Sequence, residues 1–395
     1  MRLSERVKWI KPSPTLAITA KAQSMRAAGR NIINFGAGEP DFDTPDHIKK
    51  AAISAIEAGF TKYTPVGGID ELKDAIIAKL KHDNGLEYGR PNIFASCGAK
   101  HTLFNLAQVL FEAGDEVIIP APYWVSYPDI VVLSGATPVV VSTTEEDGFK
   151  LKAHDLARAV TGKTKAVIVN SPSNPTGMAY SEAELKSLAE VVRDKNLIVI
   201  SDDIYEKIAY GSLRFANIAM TGEEMKDRTI VVNGVSKTYS MTGWRIGYAA
   251  GPRDVISAAT DYQSQNTSNP TSISQKAAVA ALMGDQAPVT AMVTEFQKRR
   301  DYIVDALNGI RGIRCMKPQG AFYAFPNTSG LYGKSFKGRQ ISGSVDLAAY
   351  LLDEAEVAVV PGDPFGSDDH IRLSFATSME NIEEGLKRIR RALEG

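Results

Sequence analysis

Cysteine is nearly absent from this chain, with only Cys97 and Cys315, far apart and outside any paired motif. That argues against a disulfide framework and against a zinc site. The five histidines, His47, His82, His101, His154 and His370, fall at no metal-ligand spacing and read as structural or surface residues. An excess of either charge is also missing, with 45 basic against 46 acidic side chains. No global field would therefore gather nucleic acid or an anionic membrane. No run approaches the roughly 20 apolar residues that cross a bilayer. The first residues carry Arg2, Glu5, Arg6 and Lys8 before any apolar stretch, unlike a secretory signal. The expected setting is the cytoplasm, with no metal, membrane or nucleic-acid partner.

What is present is an ordinary globular composition, 44% hydrophobic and 23% charged over 395 residues, long enough for two domains. Between about residues 90 and 250, short apolar runs at 116–120, 137–141, 166–170, 197–201, 229–233 and 246–250 alternate with helical stretches. This is the pattern of parallel strands joined by crossover helices, so the fold class is α/β. Ser181 with Glu184 forms a capping box that opens an amphipathic helix ending near Asp194. Beyond this block the sequence predicts a long charged helix over 295–308, strands at 321–325, 357–360 and 371–375, and a last helix over 381–393. Residues 330–343, rich in Gly, Ser and Lys, are expected to be an exposed loop.

Ligands in an open α/β sheet bind beyond the carboxyl ends of its strands. The residues at those ends are chemically rich: Tyr123 and Trp124, Asn174, Asp202 with Tyr205, and Lys237. Lys237 follows an apolar run and a small-residue turn, and Arg245 lies shortly after it. A lysine held in place and shielded from water can form an imine with an aldehyde cofactor, and an arginine fork suits that cofactor's phosphate. Gly98, Ala99 and Lys100 open a helix whose free N–H groups could meet the same phosphate. Asp202 leaves an apolar strand, where an unpaired carboxylate is costly. It is either the partner of a protonated pyridine nitrogen or a helix N-cap. Tyr205 and Asn174 could bond a ring oxygen of such a cofactor, and Trp124 either fills core or covers a flat ring. Arg372, inside an apolar strand, is either buried and paired or exposed at an edge.

With Lys11–Thr15, Gly36–Phe42, Lys62–Pro65, Pro122–Tyr127, Asn170–Gly177, Ser201–Tyr205, Gly234–Gly247 and His370–Thr377 in view, the chain resembles, over nearly its full length, the fold-type I, pyridoxal-phosphate-dependent aminotransferases of class I. It is most similar to the bacterial branch of aspartate and aspartate/prephenate enzymes. That resemblance implies a mostly parallel central sheet in a large cofactor-binding domain, residues 46–290. Residues 1–45 and 291–395 would form a smaller domain with a mobile amino-terminal segment. It implies Lys237 as the residue bonded to the cofactor and moving the proton, Asp202 on the pyridinium nitrogen, and Asn174 and Tyr205 on the ring's 3-oxygen. Trp124 would stack on the ring. Arg245 and the backbone at Gly98 and Ala99 would hold the phosphate, joined by Tyr63 of a second subunit, so that a homodimer shares its sites. Arg372 and Gly38 would bind the α-carboxylate. Lys100 and Thr15 would take the far carboxylate, with help from residues 265–268 of the other subunit, and Lys11 would serve prephenate. The implied reaction moves an amino group from aspartate, or from glutamate or arogenate, to a 2-oxo acid by a ping-pong path. The alternatives are an aromatic or alanine-type aminotransferase and a lyase using the same cofactor.

Overall fold

The computed structural model describes residues 1–10 and 14–395, with the side chains of residues 14–17 and 19 outside the description. Lys11 therefore lies outside the described residues, and Thr15 is placed only as part of the helix Pro14–Ala27.

Seven strands form the central sheet: β1 (Ile93–Ser96), β2 (Glu116–Ala121), β3 (Thr137–Ser142), β4 (Thr164–Asn170), β5 (Ile198–Asp202), β6 (Thr229–Gly234) and β7 (Gly247–Ala250). Their order is β1-β7-β6-β5-β4-β2-β3. The near-continuous apolar runs reflect burial on both faces. In β2, Val117 and Ile119 pack with Leu103 and Leu106 of helix α2 (Ala99–Leu110), after α1 (Asp70–Asn84) in the chain. Ile118 between them packs on the opposite face with Leu185, Leu188 and Val192 of helix α3 (Glu182–Asp194). The same alternation places Ile200 on the first face and Val199 on the second. Helix α3 opens with the expected box: Ser181 N donates to Glu184 Oε2 at 2.8 Å, and Glu184 N donates to Ser181 Oγ at 3.3 Å.

One strand departs from the parallel reading. β7 runs antiparallel to both β6 and β1. The link from β6 to β7 contains only the short turn Thr242–Trp244, and a parallel return needs a crossover of a dozen or more residues, usually a helix. The reversal matters for chemistry, because it brings the start of β7 to the end of the sheet where the other strands finish.

A second set of elements surrounds helix α4 (Ala287–Asn308) and helix α5 (Met379–Glu394). Here β8 (Tyr323–Ala324), β9 (Val360–Pro361) and β10 (Ile371–Ser374) form an antiparallel sheet in the order β9-β10-β8. The expected strand at 357–360 is broken in two. Val357–Ala358 pairs in parallel with Ile33–Asn34, while Val360–Pro361 joins β10. The segment 330–343 is not a bare loop either. It holds a small hairpin, Ser335–Phe336 with Arg339–Gln340, and buries Leu331 and Ile341 in the core formed by Phe296, Phe322, Leu373 and Leu386. Ile204, Tyr205 and Ile208, just past β5, belong to that same core. Among the described residues no helix is long and apolar enough to cross a membrane.

Candidate active site

The carboxyl ends of β1, β2, β4, β5 and β6 open on a cleft of about 850 Å³, walled on the far side by β8 and β10. Gly38, Ala99, Lys100, Trp124, Asn174, Asp202, Tyr205, Lys237, Arg245 and Arg372 all line it. Sequence positions separated by more than 300 residues thus converge on one volume.

Lys237 projects from the loop after β6, and its Nζ donates to the Gly38 carbonyl. Desolvation lowers its amine to about 8, with Arg372 and Arg245 pushing the same way and Glu39 and Asp202 opposing them. Such an amine can be neutral near physiological pH.

Asp202 closes β5, beside Asn170 of β4 in register. It is 4% exposed and accepts from Tyr127 Oη at 2.6 Å and from Ile204 N at 3.3 Å. The second bond closes a turn and caps no helix, since none begins at Asp202, and it does not neutralise the charge. Among the described residues Asp202 forms no ion pair. Burial pushes its carboxyl up to about 6, with both hydrogen bonds and Lys237 acting against that rise.

This has a measurable consequence. A carboxyl whose folded pKa is raised contributes most below its unfolded value of 3.8, and that contribution is lost as pH rises through about 6. The loss is roughly 3 kcal/mol by pH 7. In protein dialysed free of small ligands, Asp202→Asn is expected to be about 1–3 kcal/mol more stable than the parent at pH 7, with the gap closing towards pH 4. Denaturant titrations at the two pH values check this; an equal gap at both would show that Asp202 is not held against its charge.

The loop around Gly98 fits closely against Arg245. Gly98 has φ +91°, and a Cβ there would sit 2.4 Å from Arg245 Nη2. A Cβ on Gly247 would meet Ala99 N at 2.2 Å. Only glycine permits the start of β7, the start of α2 and the guanidinium to share this corner. Arg245 Nη1 donates to the Thr242 carbonyl at 2.8 Å and Nη2 to the Cys97 carbonyl at 3.3 Å. The Ala99 and Lys100 N–H groups, which open α2 ahead of its first helical hydrogen bonds, follow directly from this corner.

On the opposite wall Arg372 is 3% exposed. Its Nη1 donates to Asn174 Oδ1 and its Nη2 to the Gly36 carbonyl, each at 3.0 Å. Its Nε is buried with no partner, and the guanidinium lies 4.5 Å from the Tyr323 ring centroid and 5.1 Å from that of Phe365. Of the two alternatives left by the sequence, buried and paired or exposed at an edge, the first holds, with partners that are an amide and a carbonyl and no acid in an ion pair among the described residues. Trp124 stands edge to face with Tyr127 at 5.3 Å, and the Lys100 ammonium sits 4.9 Å over the Trp124 ring. Partial desolvation and then Arg245 lower the Lys100 pKa, against Asp129.

Tyr63 is not brought to the cleft by its own chain; it is 93% exposed. Residues that sequence reasoning gave no role are Tyr127, the donor to Asp202, and Tyr323, whose hydroxyl lies 2.9 Å from that of Tyr205. Both are tyrosines within apolar surroundings. A buried hydroxyl that must find a partner is the signal that could have marked them.

Comparison with known proteins identifies the family. A family model described as aminotransferase class I and II matches residues 30–389. An aspartate aminotransferase of Geobacillus stearothermophilus is 51% identical, with 100% of this chain and 99% of that protein covered. An aspartate/prephenate aminotransferase of Nitrosomonas europaea is also 51% identical, covering 98% and 99% of the two chains. The crystal structure of the aspartate aminotransferase from Rhizobium meliloti superposes with a TM-score of 0.97 at 47% identity, covering 100% of this chain and 99% of that one. With its fold and its sequence shared over nearly the whole length of these enzymes, the chain belongs to the class I and II aminotransferases.

Proposed function

We propose that the protein is a pyridoxal-phosphate-dependent aminotransferase that takes the amino group of aspartate and passes it to a 2-oxo acid such as 2-oxoglutarate. The observation that carries the reading is the convergence on one cleft of a lysine with lowered basicity and, with no ion-pair partner among the described residues, a buried carboxylate and a buried guanidinium. The names of the relatives supply the amino donor.

The residues fit the cofactor. The corner that a Cβ at Gly98 would fill, with Arg245 and the start of α2, suits a phosphate. Asp202 would hold a protonated ring nitrogen, Asn174 and Tyr205 the ring's phenolic oxygen, and Trp124 one face. When bound, pyridoxal phosphate supplies an aldehyde for the substrate nitrogen and an electron-poor ring that accepts the electron pair left by Cα–H cleavage. The protein's own part is orientation and proton transfer. Arg372, aided by Gly38, grips the α-carboxylate and points Cα toward Lys237. The Lys237 amine, neutral above about 8, takes the Cα proton and delivers it to the next acceptor within reach. Asp202 keeps the ring nitrogen protonated. Closure of the amino-terminal segment over the cleft would exclude water, with residues 46–290 as one body and 1–45 with 291–395 as the other.

Lys100, which lines the cleft, would take a second carboxylate, and Tyr63, exposed on one chain, would complete the phosphate site of a second copy in a homodimer. Lys11 and Thr15 keep the parts implied by the resemblance. The test follows oxaloacetate formation from aspartate and 2-oxoglutarate by protein loaded with pyridoxal phosphate, in parallel with leucine, tyrosine, alanine and arogenate. Aspartate is expected to give the highest kcat/KM. Lys100→Ala is expected to lower the aspartate-to-leucine ratio of kcat/KM by about tenfold or more. An unchanged ratio removes Lys100 from specificity, and a better aromatic donor replaces the aspartate assignment.

A further inference from the structure

The segment after β5 is used on both sides. Asp202 and Tyr205 face the cleft, while Asp203 and Glu206 face away from it into buried polar groups that the amino-transfer reading leaves without a task. Asp203, 1% exposed, accepts from Ser201 Oγ at 2.7 Å and from Asn217 Nδ2 at 2.6 Å. Glu206 is buried and ion-paired with Lys79 of α1, which is buried too. Lys79 also donates to Asn84 Oδ1 at 2.8 Å, and Asn84 Nδ2 reaches Glu206 Oε2 at 3.4 Å. Asp83 of the same helix stands 3.8 Å from Lys79 and 2.8 Å from Lys207, the residue after Glu206. Helix α1 is thereby fastened by charge to the turn that carries two cleft residues.

A buried ion pair contributes little net stability, because removing two charges from water offsets their attraction, and apolar side chains of similar volume would attach α1 as well. What paired charges add is a fixed direction and distance. The turn they hold is itself stiff: Glu206 N donates to the Asp203 carbonyl at 2.9 Å and Ile208 N to the Tyr205 carbonyl at 2.8 Å. Displacing Glu206 therefore displaces Tyr205 and Asp202. Resting on the amino-transfer reading, we propose that Lys79 and Glu206 are positioning residues, their ion pair holding the 202–206 turn so that Asp202 and Tyr205 stand at working distance in the cleft.

Removing one partner alone strands the other charge, so the decisive variant is Lys79→Met with Glu206→Gln, which deletes both charges and keeps a group for Asn84 to bond. Arg90→Met is the control. It deletes a fork to Asp70 and Asp74 on the exposed face of the same helix. Two readouts follow the site. One is the pH midpoint of the visible band of protein loaded with pyridoxal phosphate. The other is the pH midpoint of Lys237 labelling by an amine reagent, mapped by peptide mass spectrometry on the full chain dialysed free of small ligands. In the folded double variant both midpoints are expected to move by about 0.5 pH unit or more, and kcat to fall about tenfold with KM for aspartate within about twofold. Arg90→Met is expected to superimpose on the parent. A double variant whose labelling midpoint also superimposes on the parent overturns the proposal and leaves the pair with a structural role only. If the parent takes up no pyridoxal phosphate, the amino-transfer reading fails by itself, and the labelling midpoints still decide the positioning. Should the double variant not fold, Glu206→Gln with Lys79 intact is read in the same way, with the same two outcomes.

Discussion

Lys237→Ala is expected to fold as the parent does and to lose amino transfer by on the order of 10⁵-fold or more. The two halves of that expectation have different origins. Structurally the side chain contributes little: its ammonium bonds only the Gly38 carbonyl and lies 6.0 Å from the Phe322 ring. Deleting it also relieves the desolvation that lowers its pKa to about 8. The melting temperature should therefore hold or rise slightly. Chemically there is no substitute among the described residues: Lys100, the other lysine lining the cleft, lies over the Trp124 ring instead. Purified variant protein incubated with pyridoxal phosphate should bind it through the Arg245 corner and yet lack the parent's visible band. A variant that keeps both band and turnover would move the chemistry to another residue.

Arg372→Leu is expected to lower kcat/KM for the amino acid about 10³-fold, equivalent to about 4 kcal/mol, while leaving pyridoxal phosphate affinity within a few-fold. The guanidinium is buried among Tyr323, Phe365, Asn174 and Gly36, and holds an unpartnered Nε. A cation desolvated in this way, with no counter-ion among the described residues, is what the proposed grip on a substrate carboxylate calls for. Because a carboxylate takes the planar fork at two points, Arg372→Lys should recover little of the loss. Steady-state kinetics with aspartate, set beside cofactor titration, separate the roles. Equal losses in both would mean that Arg372 supports the cleft rather than the substrate.

Much of this was legible in the sequence because burial on both faces of a parallel sheet writes itself as uninterrupted apolar runs. The residues after such runs fall at one end of the sheet by construction. Asp202, Asn174, Trp124 and Lys237 were found that way. Arg245 lies in the cleft for a reason that periodicity does not carry, the reversal of β7, which follows from the lack of a helix in the link before it. The strand expected at 321–325 is present but pairs over Tyr323–Ala324 alone, whereas the one expected at 357–360 splits in two, because two paired residues leave no period to set bounds. Tyr323 and Tyr127 carry no pattern that marks them, and only their partners across the fold reveal hydroxyls placed against Tyr205 and Asp202. Tyr63 illustrates the opposite case. A single chain leaves it exposed, and its proposed part depends on a second copy.

The most direct test is reduction of pyridoxal-phosphate-loaded protein with borohydride, which fixes any carbon–nitrogen double bond between cofactor and protein, followed by peptide mapping. The expected result is a single phosphopyridoxyl group on the peptide containing Lys237. Label on another lysine, or none on protein that is folded and saturated with the cofactor, would contradict a site built around that amine.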